Sequence, residues 1–198
     1  MERSPAGDED LQKIQACLDG DESAFEFLFN KYRQKVFNLA HRYVGDTEDA
    51  LDITQECFVK AHHSLRTFEG RSSFYTWLCR LVINACVDFR RAHKAPQPLS
   101  LSESPAEGEV KHDPEDLRVI GPSGALELKE LESRIQDAIE SLPGPQRAVF
   151  VLHVAEQMPY KRIADVLDCS VGTVMSRLHY ARKKLQESLK PYLEAKVS

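Results

Sequence analysis

The sequence is most informative at first for what it lacks. No run approaches the roughly 18 uninterrupted apolar residues that a membrane span requires, so no membrane insertion is expected. The first ten residues are polar and acidic rather than a basic leader with an apolar core, which points to a cytoplasmic protein. Cysteine is odd in number, five in all, and no CxxC pair occurs; this argues against a disulfide framework and a structural zinc site. Cys17, Cys57, Cys79, Cys86 and Cys169 read as ordinary helix and core residues. The seven histidines show no ligand spacing, and His62 and His63, being adjacent, point to different helix faces. No Gly-rich phosphate loop or nucleophile elbow is present. No catalytic residue, metal or cofactor is therefore expected. Strand-type alternation is also missing throughout, which leaves an all-α fold class.

Excess positive charge is lacking too, because the net charge is −5. Its distribution matters more than its sum. Residues 171–198 hold six Lys/Arg against two Asp/Glu, and Arg90-Arg91 forms a second basic knot.

Helical periodicity defines two blocks. Phe25, Leu28, Phe29, Tyr32, Val36, Leu39, Ala40 and Tyr43 recur at steps of three and four. Gly45-Asp46 breaks that helix, and Asp46 or Thr47 can cap the next, with Glu48 and Asp49 in its first turn. Its apolar set is Ala50, Ile53, Cys57, Phe58, Ala61 and Leu65. A polar loop, 67–73, precedes a third helix bearing Phe74, Trp77, Leu78, Leu81, Val82, Ala85 and Phe89. Residues 92–126 hold five of the ten prolines, several acids and no aromatic residue, so they read as a flexible acidic linker. Such a chain spans about 30–35 Å on average and would let its two ends move nearly independently. The divisions are thus 1–20, an N-terminal extension; 21–91, a first helical domain; 92–126, the linker; and 127–198, a second helical domain.

In the second block Leu128, Leu131, Ile135, Ala138 and Leu142 form one stripe, stopped by Pro143-Gly144-Pro145. Residues 159–185 fit a helix-turn-helix. Ile163, Val166 and Leu167 face inward, Ala164 is small enough for a close crossing, Asp168-Cys169 turns, and Ser170 is a good N-cap. The second helix is expected to bury Val171, Val174, Leu178 and Leu185 and to show Thr173, Ser176, Arg177, Tyr180, Lys183 and Lys184. A helix with this polar, basic face suits the DNA major groove, whose acceptors Arg reads bidentately.

The segment 169–185, CSVGTVMSRLHYARKKL, resembles region 4.2 of the sigma-70 family of RNA polymerase sigma factors, in its extracytoplasmic-function (ECF) branch. Residues 139–147, IESLPGPQR, resemble region 4.1; residues 49–60, DALDITQECFVK, resemble region 2.2; and residues 68–78, FEGRSSFYTWL, with Asn84, Asp88 and Arg90-Arg91, resemble regions 2.3 and 2.4. The resemblance implies a sigma region 2 followed by a sigma region 4. It implies that Asp49, Asp52, Gln55 and Glu56 dock the beta-prime clamp helices of the polymerase core, with the beta flap as a further contact. It implies that Phe68, Arg71, Ser72, Trp77, Asn84, Arg90 and Arg91 serve the melted −10 element of promoter DNA. An aromatic such as Phe68 can stack an unpaired base at a gain of about 1–3 kcal/mol. Ser176 and Arg177 match −35-reading positions, whereas Met175 and Tyr180 stand where many relatives carry Arg. Phe74, Trp77 and Leu78 read better as core than as melting residues. An anti-sigma factor is a further partner that the resemblance implies. The linker resembles the segment that threads the polymerase's RNA path. The competing reading, a one-component helix-turn-helix regulator, accounts for 159–185 but not for the 68–91 block.

Overall fold

The computed structural model describes residues 5–93 and 122–195, all but short connections of which are helical. Residues 94–121 of the expected linker lie outside these residues, whereas its ends, 92–93 and 122–126, belong to helices. The first half contains α1 (Pro5–Leu18), α2 (Glu22–Val44), α3 (Thr47–Ser64), a short 3-10 turn (Leu65–Thr67) and α4 (Phe74–His93). The second contains α5 (Pro122–Glu140), α6 (Gly144–Val154), α7 (Tyr160–Leu167) and α8 (Val171–Ala195).

Capping residues set the helix boundaries. Asp21 accepts from the Ser23 amide at 2.9 Å at the start of α2. Gly45 ends that helix at φ 88°, a conformation a side chain would strain. Asp46 then accepts from the amides of Glu48 and Asp49 at 2.8 and 3.0 Å, satisfying two orphan donors of α3. Ser73 caps α4 through the Thr76 amide at 3.1 Å.

The apolar stripes of α2, α3 and α4 meet in one bundle core. Leu28, Val36, Leu39, Ala50, Cys57, Ala61, Leu78 and Val82 are fully buried. Burying each Leu or Val stabilises the fold by about 1.5–3 kcal/mol. Cys79 and Cys86, two turns apart on α4, are both buried, as their spacing predicts.

Four expectations are revised. The N-terminal extension, 1–20, for which no helix is read from the sequence, contains one: residues 5–18 form α1, which lies against α2. Ile14 is buried, and buried Asp10 accepts from Tyr32 Oη at 2.6 Å and from Lys31 Nζ at 2.7 Å. A carboxylate at a core-facing position hid this stripe. Ile135 of α5 is 38% exposed, while Ala138 and Leu142 are buried. Val171, in the first turn of α8, is 40% exposed, and Ala181 joins Val174, Leu178 and Leu185 among the buried residues instead.

The fourth concerns the two halves, which are packed together rather than independent. Ala148, Val149, Val151, Leu152, Met158 and Ile163 of the second half belong to the same buried cluster as Leu39, Tyr43 and Ile83 of the first. Polar contacts stitch the seam. Tyr43 Oη donates to the Gly144 carbonyl at 3.4 Å, and Tyr75 Oη donates to the Glu156 carboxylate.

Arg147 closes the junction. It is only 2% exposed, and its guanidinium donates to the carbonyls of Ile139 (3.0 Å), Leu142 (2.8 Å), Tyr43 (3.4 Å) and Glu140. Ile139 also accepts from the Leu142 amide at 3.1 Å, whereas Glu140 and Leu142 have carbonyls at or just past the C-terminus of α5, where a cation meets the favourable end of the helix dipole. Burial, together with nearby Arg90, depresses its pKa to about 10, so it stays charged at neutral pH.

Candidate nucleic-acid interface

The sequence-expected residues fall on three surfaces. The first is the outer face of α3. Asp52, Gln55 and Glu56 are exposed and Asp49 is half-buried; Glu56 pairs with Lys60 at 2.6 Å, one helical turn away. Leu51 (47% exposed) and Val59 (56%) share this face with Gln55 at four-residue steps. The sequence reading missed both. The available signal was that they sit out of phase with the buried series Ala50, Ile53, Cys57 and Ala61. An acidic face carrying two exposed aliphatics can meet a partner helix by both charge and apolar burial.

The second surface runs along α4 and the loop before it. Phe68, Phe74 and Trp77 form an aromatic cluster with ring centroids 5.5–5.7 Å apart. Phe74 is buried, whereas Phe68 and Trp77 are half-buried, each keeping part of its ring accessible. Phe74 and Leu78 are therefore core, and Trp77 is both core and surface. Arg71 and Ser72 are exposed, with Arg71 paired to Glu69 at 2.6 Å. Trp77, Arg80, Asn84, Asp88 and Arg91 then line one stripe of α4 at steps of three and four. Asn84 is exposed, seven residues or about 10 Å beyond Trp77. Phe68 and Asn84 are thus on one side of the molecule but not in one pocket. Arg91 is exposed and pairs with Asp88 at 3.8 Å.

Arg90 stands apart. It lies about 100° around the helix from Arg91 and faces α5. Its side chain is only 17% exposed, with Nη1 at 3.9 Å from the Glu140 carboxylate and Nη2 at 3.5 Å from the Glu140 carbonyl.

The third surface is the helix-turn-helix. Asp168 takes the left-handed conformation (φ 50°, ψ 54°) that reverses the chain after α7. Ser170 Oγ accepts from the Thr173 amide at 3.0 Å, capping α8 as expected. Thr173, Ser176, Arg177 and Tyr180 are half-buried, and Lys183 and Lys184 are exposed. Ser176 Oγ donates back to the Thr173 carbonyl at 3.1 Å, and Lys184 reaches the Ser141 carbonyl at 3.0 Å. Met175 (55% exposed), His179 and Arg182 are the more open positions of the helix. No acid occurs from Cys169 to Gln186, while Arg177, Arg182, Lys183 and Lys184 do. This is the charge pattern that neutralises phosphates. The turn of this motif lies beside the second surface: Arg80 Nη2 is 3.7 Å from Asp168 Oδ2.

Among the described residues no group of three His, Cys, Asp or Glu side chains could hold a metal ion. None of their helices is long and apolar enough to cross a membrane.

Known proteins match both halves. The family pattern for sigma-70 region 2 matches residues 28–95, and that for sigma-70 region 4 matches residues 132–185. The RNA polymerase sigma-H factor of Pseudomonas aeruginosa is 35% identical over 188 residues, covering 94% of this chain and 96% of the relative. The ECF RNA polymerase sigma-E factor of Escherichia coli K12 is 35% identical over 181 residues, covering 91% and 94%. In fold, the chain is similar to CnrH in its complex with the cytosolic domain of CnrY, at TM-score 0.66 and 24% identity, covering 92% of this chain and 98% of that one. It is also similar to the sigma factor RpoE of Bartonella quintana in complex with the anti-sigma factor NepR, at TM-score 0.58 and 22% identity, covering 84% and 96%.

Proposed function

Since this chain belongs to the sigma-70 family, in its ECF branch, we propose that it divides one promoter between its two halves. It acts as a transcription-initiation factor: it binds RNA polymerase core and directs where synthesis starts. In the proposed division, α8 docks in the major groove of duplex −35 DNA. Arg177, Ser176 and Thr173 face base edges there, with Tyr180, Lys183 and Lys184 towards the backbone. The loop before α4, with Phe68, Arg71 and Ser72, captures a base unstacked from the −10 element. Trp77 abuts the melting fork and Asn84 hydrogen-bonds a base edge. Arg90 and Arg91 meet phosphates. On the core side, Asp49, Asp52, Gln55 and Glu56 dock the beta-prime clamp helices, assisted by Leu51 and Val59, and residues of 127–198 contact the beta flap. The linker, residues 92–126, follows the polymerase's RNA path between the two. The Bartonella quintana relative is bound by an anti-sigma factor, and a protein of that kind is the proposed antagonist here.

One observation supports this reading above others. Two separate surfaces suited to nucleic acid occur on one chain: a cationic recognition helix, and a half-exposed aromatic cluster continued by an exposed Asn84 stripe. A one-component regulator needs only the first. Run-off transcription with purified core tests the assignment. Arg177→Ala weakens selection of the −35 sequence, and Phe68→Ala or Asn84→Ala slows promoter opening while leaving core affinity intact. Equal activity of all three variants and the parent would refute it.

A further inference from the structure

We infer that the second half masks part of the −10 surface of the first, through a latch in which Glu140 and the C-terminal end of α5 hold Arg90 where a DNA phosphate would otherwise sit. The inference rests on the proposed role of α4 in −10 binding.

The geometry of Arg90 carries it. Of the two adjacent arginines, Arg91 keeps its side chain 79% exposed, whereas that of Arg90 is 17% exposed. The groups around Arg90 are anionic in character: the Glu140 carboxylate at 3.9 Å and the Glu140 carbonyl at 3.5 Å, the latter at the negative end of the α5 dipole. That is a crude imitation of a phosphate, a charged oxygen beside a second acceptor. Gly45 admits it, because a Cβ at that position would collide with the Glu140 carboxylate.

The latch is also poorly made. Arg90 Nη1 is buried without a hydrogen-bond partner, although a buried guanidinium ordinarily satisfies its donors. Arg147 binds the same helix end, so two cations share the one Glu140 carbonyl while only Arg90 approaches the carboxylate. A phosphate that drew Arg90 away would satisfy the stranded donor and relieve the repulsion. The arrangement is therefore held in place but easily exchanged, as an autoinhibitory contact must be.

It fits the rest of the seam. Arg80, on the exposed stripe of α4, is held 3.7 Å from Asp168 of the helix-turn-helix. The −35 and −10 elements are separated by about 25 base pairs, roughly 85 Å of duplex. Surfaces that touch cannot read both at once, so promoter binding has to part the halves and release Arg90.

The test uses the full chain without core and measures binding of a fluorescein-labelled, roughly 20-nucleotide single-stranded oligothymidylate by anisotropy at low salt. Glu140→Gln removes the carboxylate and keeps the shape. Glu132→Gln makes the same charge change at an exposed position on α5 and controls for net charge. Glu140→Gln is expected to bind about two- to fivefold tighter than Glu132→Gln, the range that one lost ion pair without a hydrogen bond allows. Adding Arg90→Gln to Glu140→Gln should abolish the gain. If Glu140→Gln melts early, Glu140→Asp, which withdraws the carboxylate by one methylene, should give a smaller gain in the same direction. Equal binding by the Glu140 and Glu132 variants, or a gain that survives Arg90→Gln, overturns the latch. Run-off transcription with core separates the two failures. If the chain initiates but the variants bind alike, only the latch is wrong; if it never initiates, the function is.

Discussion

Replacing Arg147 by Met tests how the two halves are joined. Methionine keeps most of the aliphatic stem but removes every donor. Four carbonyls lose a partner: Ile139, Glu140, Leu142 and Tyr43. Hydrogen bonds to a charged donor are worth about 1.5–3 kcal/mol each, but the Tyr43 bond is long and water can reach some of the freed acceptors. Removing the cation also relieves its own desolvation. The expected net loss is about 3–5 kcal/mol, comparable to breaking a buried charged pair. In a chain of this size that lowers the melting temperature by roughly 6–20 °C. Circular dichroism at the helical minimum, followed through heat or urea unfolding, reads it directly. Arg147→Lys should recover less than half of the loss, because a point charge cannot fork to several carbonyls at once. A loss below about 1 kcal/mol for Arg147→Met would refute the reasoning, since it would mean that these carbonyls are satisfied without the guanidinium.

Alkaline titration makes a second prediction. Burial raises the Tyr43 pKa from 10 to about 12. A raised folded-state value means that its stabilisation is complete below pH 10 and is lost between pH 10 and about 12, where the unfolded chain has already ionised. The two-unit shift corresponds to about 3 kcal/mol, so urea midpoints should fall over that window and Tyr43→Phe should remove that share of the fall, leaving the share of Tyr32 and Tyr75, whose pKa values burial also raises. Thiol labelling makes a third. Cys57, Cys79 and Cys86 are buried, and burial pushes all three thiols upward, Cys57 and Cys79 to about 12. At pH 8 the native protein should label rapidly at no more than Cys17 and Cys169, both only part-buried, against all five cysteines in denaturant. Fast labelling of a third thiol would contradict the buried placement.

Much of the fold was legible because its signals are local. The stripe Leu28–Tyr43 of α2, the Gly45 stop, the Asp46 and Ser170 caps and the left-handed turn at Asp168 each follow from a few neighbouring residues. What escaped depends on the partner a residue finds across the chain. Asp10 reads as a surface acid until Tyr32 and Lys31 are seen to hold it. Arg147 reads as a motif residue until four carbonyls surround it. Arg90 reads as the twin of Arg91, and only the presence of α5 distinguishes them. Ile135 and Val171 obey the periodicity of buried residues, yet remain 38% and 40% exposed among the described residues. The candidate surfaces were legible as residue types. Their openness was not: Thr173, Arg177 and Tyr180 are half-buried, while Met175, His179 and Arg182 stand further out.

In the proposed division of labour, α8 holds closed duplex while the α4 surface keeps a second element open. Footprinting on a promoter mapped from this protein's own transcripts examines both at once. With core polymerase added, the account predicts backbone protection around −35 together with permanganate-reactive thymines at −10, and neither signal from the chain alone. Protection of the duplex by the chain alone at the same concentration, with no opened thymines when core is supplied, would contradict it.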